Sequence, residues 1–259
     1  MDKQTMSRDG TPIAYERSGQ GPAVILVSGA MSTGATVAPL AGALSDHCTV
    51  LAYDRRGRGG SGDTAPYEVA REVEDLAALI EAAGGEAALY GVSSGGALAL
   101  HAAASGLPVR QVAVYEAPFA LEDADARARA EYTERLTAAL GEGRRGDAVA
   151  LFLSLTGLAP QLIEGARQSP MWSEMEAIAP TLAYDDQVMG DGRVPHALLT
   201  SVTCPVLALA GGASAEWMRQ AARAVAEAAP EGAYRVLADQ NHLVEPAVLA
   251  PVLAEFFTA

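Results

Sequence analysis

The chain has 259 residues, enough for one α/β domain of the larger kind with a substantial core. Its 32 acidic residues outnumber 18 basic ones, giving a formal charge of −14. No basic face is clustered, which speaks against nucleic acid as a partner, because neutralising phosphates requires one. Half the residues are hydrophobic, yet no run approaches a membrane span, so no membrane partner is expected. The opening MDKQTMSRDG has acidic residues and no apolar h-region, so it does not read as a secretory signal. Cys48 and Cys204 precede apolar runs and are expected to be buried free thiols, which fits a reducing cytoplasm.

Lys3 to Ser7 and Pro12 to Ser18 read as extended segments joined at Asp9-Gly10, a hairpin signature. Ala23 to Val27 and Thr49 to Tyr53 are uninterrupted apolar runs, as expected of strands buried on both faces. Thr36 to Leu44 between them carries Val37, Leu40 and Leu44 at helical spacing. The second run ends in Asp54-Arg55-Arg56-Gly57-Arg58-Gly59-Gly60-Ser61-Gly62, taken as a structural loop with Asp54 and the arginines paired locally. Glu68 to Ala83 is a helix with an apolar stripe through Val69, Val73, Leu76, Leu79 and Ile80, stopped by Gly84-Gly85.

Next comes Ala87 to Ala99, AALYGVSSGGALA, around which the rest is organised. A strand that reverses sharply into a helix squeezes one residue into a strained turn, and the residues two before and two after it must be nearly free of side chain. Gly91 and Gly95 meet that need around Ser93, forming G-x-S-x-G, which exposes a hydroxyl at the strand's carboxyl end beside a helix N-terminus. Neither a Gly-Lys-Ser/Thr phosphate loop nor G-x-G-x-x-G is present, although a plain glycine turn would share the pattern. Val109 to Tyr115 is the following strand, ending Tyr115-Glu116-Ala117-Pro118. Strand and helix alternate to this point, which predicts a mostly parallel, doubly wound sheet.

From about Phe119 to Leu199 the alternation stops, and residues 127–140, 147–155, 160–168 and 171–177 read as helices. Alternation resumes with strand 205–210, helix 216–228, strand 233–237, a loop containing His242 and a closing helix 246–257. The expected organisation is a core of residues 1–118 and 200–259, with 119–199 inserted as a helical cap over the strand ends.

Taken together, Ser28-Gly29 after a buried strand, Asp54-x-Arg56-Gly57-x-Gly59-x-Ser61, Gly91-x-Ser93-x-Gly95, the helical insertion and a late His242 resemble the α/β-hydrolase superfamily over essentially the whole chain. The Tyr-Glu-x-Pro segment resembles that of a subgroup of small cytoplasmic serine hydrolases. The resemblance implies Ser93 as nucleophile and His242 as general base, since His47, His101 and His196 lie elsewhere in the order. The family usually places an Asp in the turn after strand 205–210, but this chain has Gly211-Gly212-Ala213-Ser214, where Ser214 reads as a helix N-cap. Some members supply the acid one strand earlier, where Glu116 stands. Glu116 is therefore favoured as the orienting acid over Asp239 or the cap residues Asp185 and Asp186.

Backbone amides of Ala30 and Ser94 are expected to form the oxyanion hole. Ser28 stands where the family commonly has His, and its hydroxyl and that of Ser94 either add hydrogen bonds or only satisfy local turns. Met31, Trp172 and other large cap residues (Phe152, Met171, Met175, Met189) suggest a small, partly apolar substrate, though the same residues serve equally to hold a cap together. No metal cluster or cofactor loop is visible, and the mechanism requires neither. The reading is a carboxylesterase-like serine hydrolase of an ester, thioester or lactone. Ser93 argues against the Asp-nucleophile dehalogenases and epoxide hydrolases, while cofactor-free perhydrolases, a lyase or cyclase, and a slow ligand-binding protein stay open.

Overall fold

The computed structural model describes residues 3–259. Its centre is one eight-stranded sheet in the order β1-β2-β4-β3-β5-β6-β7-β8. The strands are β1 (Lys3–Met6), β2 (Pro12–Ser18), β3 (Ala23–Val27), β4 (Thr49–Tyr53), β5 (Ala87–Val92), β6 (Val109–Tyr115), β7 (Val206–Gly211) and β8 (Gly232–Leu237). β2 runs antiparallel to both its neighbours, β1 and β4, the β1–β2 pair being joined through the Asp9-Gly10 turn, and from β4 to β8 every pairing is parallel. The sheet matches the expected extents to within a residue or so, because its central strands are the apolar runs of the sequence.

Alternate residues of the central strands feed two separate cores. Ile25, Val27, Leu89, Val112, Val114, Val206 and Ala208 face α2 (Val69–Ala83) and α3 (Ser94–Ala104). Val24, Leu26, Ala113, Leu207 and Leu209 face α1 (Gly34–Leu44) and the C-terminal helix, whose Leu249, Leu253 and Phe257 are buried. Each fully buried aliphatic side chain contributes on the order of 1.5–3 kcal/mol, so strands covered on both faces dominate stability. The chain goes from β3 outward to β4 and then returns to place β5 on the other side of β3. At such a reversal the loops leaving adjacent strands diverge and open a crevice at their carboxyl ends. Here those loops begin at Ser28 and Ser93.

Between β6 and β7, residues 119–199 contain no strand, only an isolated bridge between Ala120 and Arg193. Their helices are α4 (Asp123–Gly141), α5 (Arg145–Leu155), α6 (Pro160–Arg167), α7 (Trp172–Ile178), α8 (Leu182–Met189) and α9 (His196–Leu199), with a 3₁₀ turn at Ala179–Thr181. The sequence pattern indicates the first four and misses α8 and α9. α10 (Glu216–Ala228) and α11 (Pro246–Phe257) complete the chain. Ser214 does not cap α10: the residue at the cap is Ala215, and the Ser214 hydroxyl is turned inward and buried. Cys48 and Cys204 are buried and unbridged.

Candidate active site

Ser93 follows β5 with φ 55° and ψ −129°, a strained backbone for a residue with a Cβ. The turn is held by Ser93 N–H donating to Tyr115 O at 2.9 Å and by Gly96 N–H returning to Ser93 O at 2.9 Å. The flanking glycines are required by contact. A Cβ at Gly91 would run into the Gly95 carbonyl, and one at Gly95 into the Val27 and Ser28 carbonyls. The result is a partly exposed serine at the N-terminus of α3, in the crevice predicted by strand order.

Glu116 follows β6 with φ 47° and is fully buried. One carboxylate oxygen accepts from the Gly211 N–H at 2.8 Å and the other lies 2.8 Å from His242 Nδ1. Burial would raise this carboxyl, but the bonds from His242 and the Gly211 amide, with the Ser214 hydroxyl close by, outweigh it and hold Glu116 below the usual glutamate range. An ionised Glu116 accepts the Nδ1–H of His242, which leaves Nε2 with its lone pair free to take a proton. The loop carrying His242 is tied down by Tyr115 Oη donating to Asn241 O at 2.6 Å and by Glu245 N–H donating to Gln240 Oε1 at 2.9 Å. Asp239 is exposed, and Asp186 is engaged with Arg129 at 2.9 Å and Thr133 at 3.1 Å. Of the carboxylates weighed from sequence, Glu116 is the one brought to His242.

The remaining sequence-chosen residues are distributed unevenly. Gly29 abuts the serine, since a Cβ there would lie 3.1 Å from Ser93 Cβ and 3.7 Å from Ser93 Oγ. Ala30 and Met31 follow it, with Met31 at φ 55°, and both pack against insertion residues such as Tyr132, Leu136 and Leu182. The Ser28 hydroxyl is buried without a hydrogen-bond partner. Trp172 is buried among Val149, Ile163 and Ala179, with Arg167 5.0 Å above its ring, a position inside the insertion's own small core. The described residues include no cluster of three or more His, Cys, Asp or Glu able to hold a metal ion, and no helix among them is long and apolar enough to cross a membrane.

A model of the alpha/beta hydrolase family matches residues 24–252. The chain belongs to this family. Among solved structures, it is similar to an alpha/beta hydrolase from Sphaerobacter thermophilus, with 52% identity over 98% of this chain and 100% of that one and a TM-score of 0.88. It shares its fold with a thermophilic esterase from Thermogutta terrifontis (23% identity, 100% and 98% covered, TM-score 0.74). The same holds for an enol-lactonase from Burkholderia xenovorans (22% identity, 99% and 100% covered, TM-score 0.74).

In this alpha/beta hydrolase the arginines after β4 are not paired locally, contrary to the sequence expectation. Only Asp54 has a partner within the loop, the Gly60 amide at 2.7 Å, and its other oxygen accepts from the Gly34 amide at 2.7 Å. Arg56 reaches α2, donating to both oxygens of Asp75 at 2.8 and 2.7 Å, and also meets Asp9 at 3.0 Å. Arg55 takes both oxygens of Glu72 at 2.7 Å and sends Nη1 to Asp185 at 2.7 Å. Arg58 donates to Asp185 at 2.6 Å and to Thr181 Oγ1 at 3.0 Å. All three guanidiniums are buried. Burial alone would raise the Asp185 carboxyl, but Arg58 and Arg55 outweigh it and keep the group below its ordinary range. Beside the pair, Tyr184 of α8 stacks on Tyr67 at 3.8 Å with ring planes 2° apart, and the Tyr67 hydroxyl donates to Glu72 at 2.7 Å. Asp185, weighed from sequence only as an alternative acid, thus has a different set of partners. The one sequence sign of this cluster was the density of arginine directly after β4, in a chain otherwise rich in acid.

Proposed function

We propose that this protein is a serine hydrolase that cleaves an ester, thioester or lactone of a small, partly apolar substrate through an acyl-enzyme. What supports the reading is that the strained Ser93, at a helix N-terminus, donates its N–H to Tyr115 O at 2.9 Å, and the next residue, the buried Glu116, lies 2.8 Å from His242 Nδ1. A serine hydroxyl at its own pKa is a poor nucleophile, and such a histidine is the base it needs. Ser93 Oγ attacks the carbonyl carbon as His242 Nε2 takes the hydroxyl proton, and Glu116 steadies the imidazolium that forms. The amides of Ala30 and Ser94 receive the oxyanion. Collapse of the tetrahedral species expels the alcohol or thiol, protonated by His242. Water, deprotonated by the same imidazole, then releases the acid and restores Ser93.

Residues 119–199 serve as the cap that shapes the substrate site, over a core of 1–118 and 200–259. The apolar packing of Tyr132, Leu136 and Leu182 on Ala30 and Met31 supports a partly apolar acyl group. Two free, buried cysteines fit work in the cytoplasm. The test is stopped-flow hydrolysis of p-nitrophenyl acetate and butyrate. A burst of nitrophenol approaching one per protein, absent in His242→Ala, is the expected result. Turnover retained by His242→Ala would overturn the assignment.

A further inference from the structure

We infer that Arg58 and Asp185 are positioning residues for both amide donors of the oxyanion hole, with the Ser94 hydroxyl as the link on the second side; the inference rests on the hydrolase reading above. Arg58 Nη1 donates to Gly29 O at 2.7 Å. That carbonyl belongs to the peptide whose N–H is Ala30's, and in a trans peptide the C=O and N–H point to opposite sides. Holding the carbonyl on a buried guanidinium therefore aims the Ala30 N–H the other way, while a charged donor on the carbonyl polarises the peptide and strengthens its N–H. Arg55 Nη1 takes the preceding carbonyl, Ser28 O, at 3.3 Å. On the second side, the Ser94 hydroxyl donates to Asp185 Oδ1 at 2.8 Å, fixing the first residue of α3, whose N–H is the other donor.

One carboxylate thus ties the two donors together, since Asp185 Oδ1 also receives Arg55 and Oδ2 receives Arg58. Arg55, Arg58, Asp185 and Ser94 are all buried. Apolar residues in such a place are often as stabilising as an ion cluster, so stability is a weak reason for keeping charge there and fixed geometry a better one. Asp185 itself is carried on α8, which Thr181, bonded to Arg58, and the stacked Tyr184 hold against the core. The helical insertion therefore contributes a fixed part of the reaction centre as well as a cover for it.

The experiment compares wild type, Ser94→Ala and Arg58→Lys on p-nitrophenyl acetate, and the rate at which each is phosphonylated by a fluorophosphonate, with melting temperature recorded. Ser94→Ala removes one hydroxyl and leaves its backbone donor in place, so it stays informative even where Arg58→Lys fails to fold. Expected is a fall in kcat and in phosphonylation rate of about tenfold with KM within about twofold, a fraction of the roughly 10²–10³-fold that follows outright loss of a donor. Wild-type kcat in Ser94→Ala, or a loss confined to KM, would overturn the positioning role alone. A wild type that neither turns over the ester nor takes the phosphonate would overturn the hydrolase reading itself.

Discussion

The sheet and the helical insertion meet beside Ser93, at Ser94, and use buried charge in opposite ways. On the sheet side, Glu116 is a lone buried carboxylate with a hydrogen bond to each oxygen, one from a backbone amide and one from His242, and its effect falls on a single ring. On the insertion side, Asp185 is shared by two arginines and a serine, and its effect is spread over the loops after β3 and β5. The first arrangement suits a group that must follow a charge changing during each turnover. The second suits a frame that must not change at all. Under the proposed mechanism, residues after the sheet strands handle the moving proton and the insertion supplies part of the fixed geometry.

The largest expected effects test the sheet side. Ser93→Ala and His242→Ala should each lower kcat by at least roughly 10³-fold, because nucleophile and base act as a unit. Melting temperature should stay near wild type, since both side chains are only partly buried. Glu116→Gln comes next, with a loss in kcat on the order of 10²–10⁴-fold as the tautomer of His242 is no longer enforced, while Asp239→Asn should match wild type in the same assay. Equal losses in Glu116→Gln and Asp239→Asn would dissolve the contrast drawn above.

The insertion side is probed by stability. Asp185→Ala leaves Arg58 buried without a counter-charge and Arg55 with Glu72 alone, and should cost about 3–5 kcal/mol in urea unfolding. Tyr184→Phe keeps the ring stack and drops only an exposed hydroxyl bond to Asp63, at a cost below about 1 kcal/mol. The smallest effect is the acid limb of stability. Asp185 and Glu72 have folded values held below their unfolded ones. Their stabilisation is complete above roughly pH 5.5 and is lost as pH falls through the unfolded and then the depressed folded values. Unfolding free energy measured from pH 5 to pH 3 should therefore fall less steeply in Asp185→Asn than in wild type.

The sequence exposes the two sides unequally, for physical reasons. β3, β4 and β7 are legible because strands buried on both faces must be apolar throughout, and Ser93 because its turn admits only small neighbours at Gly91 and Gly95. Glu116 is legible only through the family resemblance, which offers a carboxylate one strand earlier when the turn at Gly211 to Ser214 lacks one. α8 is illegible for the converse reason: it buries two aspartates, so its inward face carries charge where periodicity looks for hydrophobes. The partners of Asp185 at Arg55 and Arg58 lie 130 and 127 residues away, and no local pattern announces a pairing at that range. The Arg55 to Arg58 loop therefore reads as a local turn, and the Ser214 hydroxyl as a cap, until the fold places both beside buried carboxylates.

The measurement that bears most directly on the account is intact mass after exposure to a fluorophosphonate, with Ser93→Ala treated in parallel. The account predicts a single adduct on the wild type and none on the variant, which requires an activated serine and a formed oxyanion hole together. An adduct that survives in Ser93→Ala, or a folded wild type that takes none, would contradict it.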